Sequence, residues 1–463
     1  MTINRRSFTT SAAAIAAFGG WARLTLAQEG GTDHNEAPGY GPLRRDPEGL
    51  FDLPEGFSYS VLSRAGDRMD DGFFTPDKFD GMGCLQLGGG RIALVRNHEL
   101  GFADHDLGPA RDDAALQARL AAAAHFDKGS NGRVLPGGTS TLILDPKTLT
   151  VVSQHLSLAG TSTNCAGGAT PWGTWLTCEE TLVSAPNTGQ SHGWIFEVPA
   201  GAKGLVTAQP LKAMGRFRHE AAAVDPATGI VYLTEDMADG LFYRFIPEVR
   251  GQLAKGGKLQ SLAFVDGGTD SRNWLATDMA VGQSRKARWI DLDEVESPAD
   301  DLRLRGQAAG GVRFARGEGI HLGWTRDRRR QLYFTCTSGG AGRYGQIMRY
   351  EPSRFEGTVR EVDEPGRLDL FVESTDPLVM DYADNITVAP WGHLIVCEDR
   401  AGAKINHLRG ITPEGKCYAL ARLNADTELA GACFSPDGTT LFVNVYKPGR
   451  TLAITGPWRR FAA

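Results

Sequence analysis

The feature that most limits what this chain can fold into is a motif that recurs along almost its whole length. Each copy reads as a short strand, a tight turn containing Pro or Gly, and a second strand of alternating apolar residues. Three copies are sharp: residues 165–180 (CAGGATPWGTWLTCEE), 220–236 (EAAAVDPATGIVYLTED) and 385–399 (NITVAPWGHLIVCED). Three looser copies begin at Gly81, Gly319 and Gly431. Further apolar segments such as IFEVP, YRFIP and MRYEP end at or beside a proline, which closes a strand because it cannot donate to a ladder. Six strand-rich repeats predict an all-β, six-bladed β-propeller, a fold that hides its sheet edges by radial repetition. In 463 residues the repeats lie further apart than the usual propeller period of about 40–50. Long inter-blade loops are therefore expected at about 100–135, 247–310 and 353–380, with a short surface helix in the Ala/Leu-rich stretch 112–124.

Residues 1–27 do not read as part of that fold. Arg5-Arg6-Ser7-Phe8, a weakly apolar stretch and Thr25-Leu26-Ala27 make a cleavable twin-arginine signal, leaving 28–463 as the propeller domain. That reading expects the twin-arginine translocase as a partner, a periplasmic or secreted destination, and folding with metals loaded before export. No other apolar run approaches the roughly 20 residues of a membrane helix, so no stable membrane anchor is expected. The net charge of -6 argues against nucleic-acid binding but leaves room for a small anionic substrate at a cationic site. No heptad or other association surface is evident, and a monomer is expected. Of seven cysteines, an odd count, Cys178, Cys336, Cys397 and Cys433 lie in apolar runs and read as small buried hydrophobes. Cys165 does not.

A hairpin returns the chain to its starting level, so the two ends of each copy share one mouth of the ring. This places Asn164 and Cys165 with Glu179 and Glu180, and His219 and Glu220 with Glu235 and Asp236. Asp384 and Asn385 come together with Glu398 and Asp399, while Glu99 ends the first copy and Arg316-Gly317-Glu318 opens the fourth. Singly, each has a bland reading as a solvated loop residue, a buried thiol or a salt-bridge partner, and His98 and His219 fit a core role equally well. Together, so many carboxylates repel one another unless cations join them, and Ca²⁺ takes six to eight oxygen ligands. The Cys165 thiolate adds a soft donor that calls for a transition metal such as iron. Arg316 offers a planar fork for a phosphate or carboxylate.

The block 161–180 (TSTNCAGGATPWGTWLTCEE), with GRFRHE, ARGE and DNITVAPWGHLIVCED, resembles the PhoX-type alkaline phosphatase family over roughly residues 50–450. The resemblance implies an exported propeller that hydrolyses phosphate monoesters of small phosphorylated metabolites with a cluster of ferric iron (Fe3+) and calcium (Ca2+). It implies Cys165 as an iron ligand and Glu180, Glu220 and Glu318 as metal-bridging carboxylates. Glu99, Asn164, Glu179, Glu235 and Asp236 would complete the coordination. Arg316 would hold the phosphate, and Asp384 and Asn385 would close the site. Gly317 stands where the family pattern suggests Pro, and the chain is shorter than familiar members, which implies trimmed covering loops. Two other classes fit the residues: a different metal-dependent propeller hydrolase (a phosphodiesterase or lactonase), and a calcium-stabilised propeller that binds a partner.

Overall fold

In the computed structural model, which describes residues 34–400, 402 and 405–461, every repeat copy is an antiparallel hairpin. The proposed signal, residues 1–27, lies outside the described residues. The first hairpin pairs Phe79–Gln86 with Ile92–His98, and the second Asn164–Ala169 with Thr174–Glu179. The third pairs His219–Val224 with Val231–Glu235, and the fourth Gly317–Trp324 with Arg330–Cys336. The fifth joins Ala383–Val388 to Leu394–Glu398, and the sixth Leu429–Phe434 to Thr440–Val445. The opening strand of each hairpin packs on the opening strand of the next, and the sixth packs on the first. These six strands close a ring around an axial cavity of about 470 Å³.

Crowding at the axis explains why these inner strands are rich in Gly and Ala. A Cβ on Gly168 would stand 1.9 Å from the Ala222 carbonyl oxygen, and one on Gly319 would stand 2.7 Å from Asn385 Cα. Away from the axis the blades pack on large side chains, as where Phe242 stacks on Phe334 at 4.4 Å between the third and fourth hairpins. An early strand closes a late sheet: Ser58–Arg64 adds the outermost strand to the sixth blade by pairing with Arg450–Thr455.

The all-β propeller class holds, and hydrogen bonding among the described residues joins the strands of the blades into five sheets. Ser284–Asp291, beyond the outer edge of the third blade, also pairs with Arg367–Glu373 of the fourth and fuses the two. For the same reason the stretches 247–310 and 353–380 are not simple loops. They carry Gly257–Phe264, Ser284–Asp291, a helix (Leu302–Ala308) and Arg367–Glu373. The stretch 100–135 does hold the expected helix, Ala114–Ala122, whose first amides are capped by Asp113 at 3.0 Å. No helix among the described residues is long and apolar enough to cross a membrane.

Candidate metal centre

All six inner strands carry the same irregularity near their start. Their register slips between Phe79 and Met82, Asn164 and Gly167, His219 and Ala222, Gly317 and Ile320, Ala383 and Ile386, and Ala430 and Cys433. Such a bulge places two residues opposite one and re-aims a side chain. The residue that follows the first pair is Asp80, Cys165, Glu220, Glu318 or Asp384 in the first five hairpins. In the sixth it is Gly431, at φ +61, where a Cβ would lie 2.5 Å from the Asp80 carbonyl oxygen. The residue before the bulged strand is held at positive φ in four hairpins: Lys78 (49°), Thr163 (52°), Arg316 (59°) and Tyr382 (52°). Non-glycine residues in that region cost on the order of 1–3 kcal/mol each, and such strain gathers at ligand sites.

The bulges gather the candidate ligands into two groups. Donor atoms of Glu99, Cys165 and Glu180 lie within 4.8 Å of one another, as do those of Glu220, Glu318 and Asp384. Arg316 is anchored at the rim beside the second group. Its Nε and Nη2 donate to the two Asp236 oxygens at 2.8 and 2.9 Å, and Nη2 also lies 2.7 Å from Glu318 Oε1. Burial first, and neighbouring carboxylates second, push Glu180, Glu220, Glu318 and Asp80 well above the usual carboxylate range. The same causes raise Asp384 to about 7 and the Cys165 thiol far above its ordinary value. Both Glu220 oxygens are buried and have no hydrogen-bond partner among the described residues. Buried acids without protons or partners are costly, so the arrangement fits bound cations. Clustered oxygens suit hard cations, and the one sulfur suits a softer one.

Three groups escaped the sequence reading. Asp80 occupies the first hairpin's bulge and couples electrostatically to Glu99, Asp384 and Asp399. It had a legible signal, because Asp80-Gly81 repeats the register of Glu318-Gly319. Tyr446 donates a hydrogen bond to Glu99, and Glu428 hydrogen-bonds Asp399. Neither has a counterpart in the other hairpins that would reveal it.

Three expected ligands are not brought to the cluster. Successive strand residues face opposite sides, so where Glu180 and Asp236 turn to the mouth, Glu179 and Glu235 turn into their own blades. Glu179 accepts from His192 Nδ1 at 2.6 Å and from the amides of Ser162, Gly193 and Trp194. Glu235 accepts from the Leu241 amide and the Tyr243 hydroxyl. Asn164, one residue before the bulge, spends its amide on Thr177 at 2.9 Å and Thr161 at 2.6 Å. Asn385 stays beside the site as a clasp: its Nδ2 donates to Asp384 and its Oδ1 accepts the Gly431 amide at 2.7 Å. His98 and His219 are core groups, bonded to Ser140 and to the Gly215 carbonyl.

Glu398 also faces inward to its blade. Burial would raise its pKa, but Arg409 and His407 outweigh that and hold it at about 2. Removing one partner of a buried pair strands the other charge. Glu398→Ala is expected to cost about 3–5 kcal/mol in denaturant unfolding while metal content per folded protein stays unchanged. Loss of metal at unchanged stability would instead place Glu398 among the ligands.

The family described as alkaline phosphatase PhoX matches residues 38–449. Among solved structures, the fold is similar to Pseudomonas fluorescens PhoX in complex with vanadate, a transition state analogue. The TM-score is 0.62 at 19% identity, covering 88% of this chain and 96% of that one. A weaker likeness, TM-score 0.41 at 13% identity, links it to a gluconolactonase from Xanthomonas campestris, covering 88% of this chain and 97% of that one. No curated protein matches.

Proposed function

The chain belongs to the PhoX family of alkaline phosphatases and is a metal-dependent phosphoric monoester hydrolase, and from that premise we propose that a mixed iron and calcium cluster at the propeller mouth does its work. The observation that carries this reading is a single buried thiol, Cys165, packed against Glu99 and Glu180 beside an oxygen-only group of Glu220, Glu318 and Asp384. Cys165 suits ferric iron, and the oxygen groups, with Asp80, Asp236 and Asp399 near them, suit calcium. Bound cations supply Lewis-acid stabilisation of phosphoryl oxygens.

The chain's own residues do the rest. Arg316 offers a guanidinium held in place by Asp236 and Glu318, whose charges keep it protonated against the cost of burial. Its Nε and Nη2 are taken by those carboxylates, which leaves Nη1 to donate to a phosphate oxygen and neutralise charge that builds on the transferring phosphoryl group. Asn385 fixes the bulge that presents Asp384, and Tyr446 orients Glu99. The substrates are small phosphorylated metabolites met outside the cytoplasm. Arg5-Arg6-Ser7-Phe8 supports export by the twin-arginine route.

Elemental analysis of the protein recovered from its native compartment, alongside p-nitrophenyl phosphate turnover, tests the reading. Iron with calcium and calcium-dependent turnover are expected. Calcium without iron or turnover would overturn it and leave a calcium-stabilised binding propeller.

A further inference from the structure

The rim between the fourth and fifth hairpins carries a cation that the phosphate site does not use. The loop 338–345 crosses that rim, and backbone bonds fix it to both neighbours. Ser338 donates its amide to the Ala315 carbonyl at 3.3 Å, next to Arg316, and Tyr344 accepts from the Tyr382 amide at 2.9 Å, two residues from Asp384. Within the loop, Arg343 is exposed, has φ +56, and forms no ion pair among the described residues. Its guanidinium lies 4.4 Å over the Trp274 ring.

Trp274 is itself held in place. Its indole N–H donates to the Ser338 carbonyl at 2.6 Å, and the Arg272 guanidinium also lies 4.4 Å from its ring. Arg272 is paired with Asp270, with contacts of 2.8 and 2.6 Å, a carboxylate it shares with Arg313 at 3.0 Å, and it reaches the Ala238 carbonyl of the third blade. The two arginines on Trp274 therefore differ: Arg272 is held by Asp270 and the Ala238 carbonyl, and Arg343 has no carboxylate partner among the described residues. A guanidinium docked on an aromatic ring has already lost much of its side-chain freedom, which lowers the cost of using it in recognition. A fixed cation at the rim adds attraction only for an ester that carries a further anionic group beyond the phosphate, so it is where selection among monoesters can occur.

We propose that Arg343, positioned by Trp274, is a subsite for a second anionic group on the substrate, so that the enzyme favours phosphate monoesters whose leaving group carries a carboxylate or a further phosphate. This rests on the phosphatase reading, with Arg316 as the contact for the scissile phosphate. Neither Arg343 nor Trp274 is among the candidate metal ligands.

The test uses the metal-loaded enzyme and a matched pair of substrates, glycerol 3-phosphate and 3-phosphoglycerate, which differ by a hydroxymethyl against a carboxylate. Arg343→Ala is expected to raise KM for 3-phosphoglycerate about five- to tenfold, with KM for glycerol 3-phosphate and both kcat values nearly unchanged. Trp274→Leu is expected to reproduce part of that selective shift. Turnover of both esters with equal effects on each, or none, would overturn the subsite alone. Turnover of neither ester by the parent enzyme would overturn the phosphatase reading and the subsite with it.

Discussion

Cys165→Ser is expected to strip the softer metal from the site and to lower phosphate-ester turnover by a hundredfold or more, while the propeller stays folded. The size follows from a comparison: groups that only orient metal ligands are worth about 10–100-fold, and Cys165 is proposed to be a ligand. The direction follows from the donor. A hydroxyl at the same bulge keeps the volume but lacks the polarisable anion that a transition metal selects. Among the described cysteines, Cys178, Cys336 and Cys397 are buried in apolar clusters, whereas Cys165 lies within 4.8 Å of two carboxylates. Iron content, visible absorbance and turnover read the result, with a thermal midpoint as the control for folding. A variant that kept its iron and its turnover would return Cys165 to the buried structural thiols. A variant that lost both only because it unfolded would show a collapsed midpoint.

The alternation of apolar residues made the hairpins, their count and their shared mouth legible before any coordinates. It also made Cys165, Glu180, Glu220, Glu318, Asp384 and Arg316 legible as a convergent set. What alternation could not show was the bulge. One extra residue near the start of each inner strand decides which of two neighbours faces the mouth, so Cys165 is chosen over Asn164. At the far end of each hairpin, ordinary strand alternation separates Glu180 from Glu179 and Asp236 from Glu235. Adjacent acids look equivalent in a sequence and are opposite in a sheet. Asp80 stands one residue before Gly81, outside the apolar alternation that marks the first repeat copy. The fusion of the third and fourth blades depends on Ser284 meeting Asp369, an edge pairing across a sequence distance over which no local pattern gives register.

Removing the cations should reverse the way stability depends on pH. In the metal-free protein, burial and then the neighbouring Asp399 raise Asp384 from 3.8 to about 7, and Glu180, Glu220, Glu318 and Asp80 move the same way. A group that binds its proton more tightly when folded contributes stability that is complete below its unfolded pKa. That contribution is lost as pH rises through the folded value. For Asp384 the window runs from about 4 to about 7, and the other four extend it upward. The metal-free thermal midpoint should therefore fall as pH rises across this range, by an amount on the order of several kcal/mol in stability. With metals present the sign changes, because cations bind the deprotonated carboxylates and thiolate, and stability should rise over the same interval. Thermal unfolding between about pH 5 and pH 8, before and after chelation and again after calcium and iron are restored, distinguishes the two. Parallel curves would mean that the carboxylates are satisfied by protein groups alone, and the cluster would lose its claim to hold metal. Divergent curves that reconverge on adding metal would tie the mouth's negative charge, the fold's stability and the catalytic site to one set of ions.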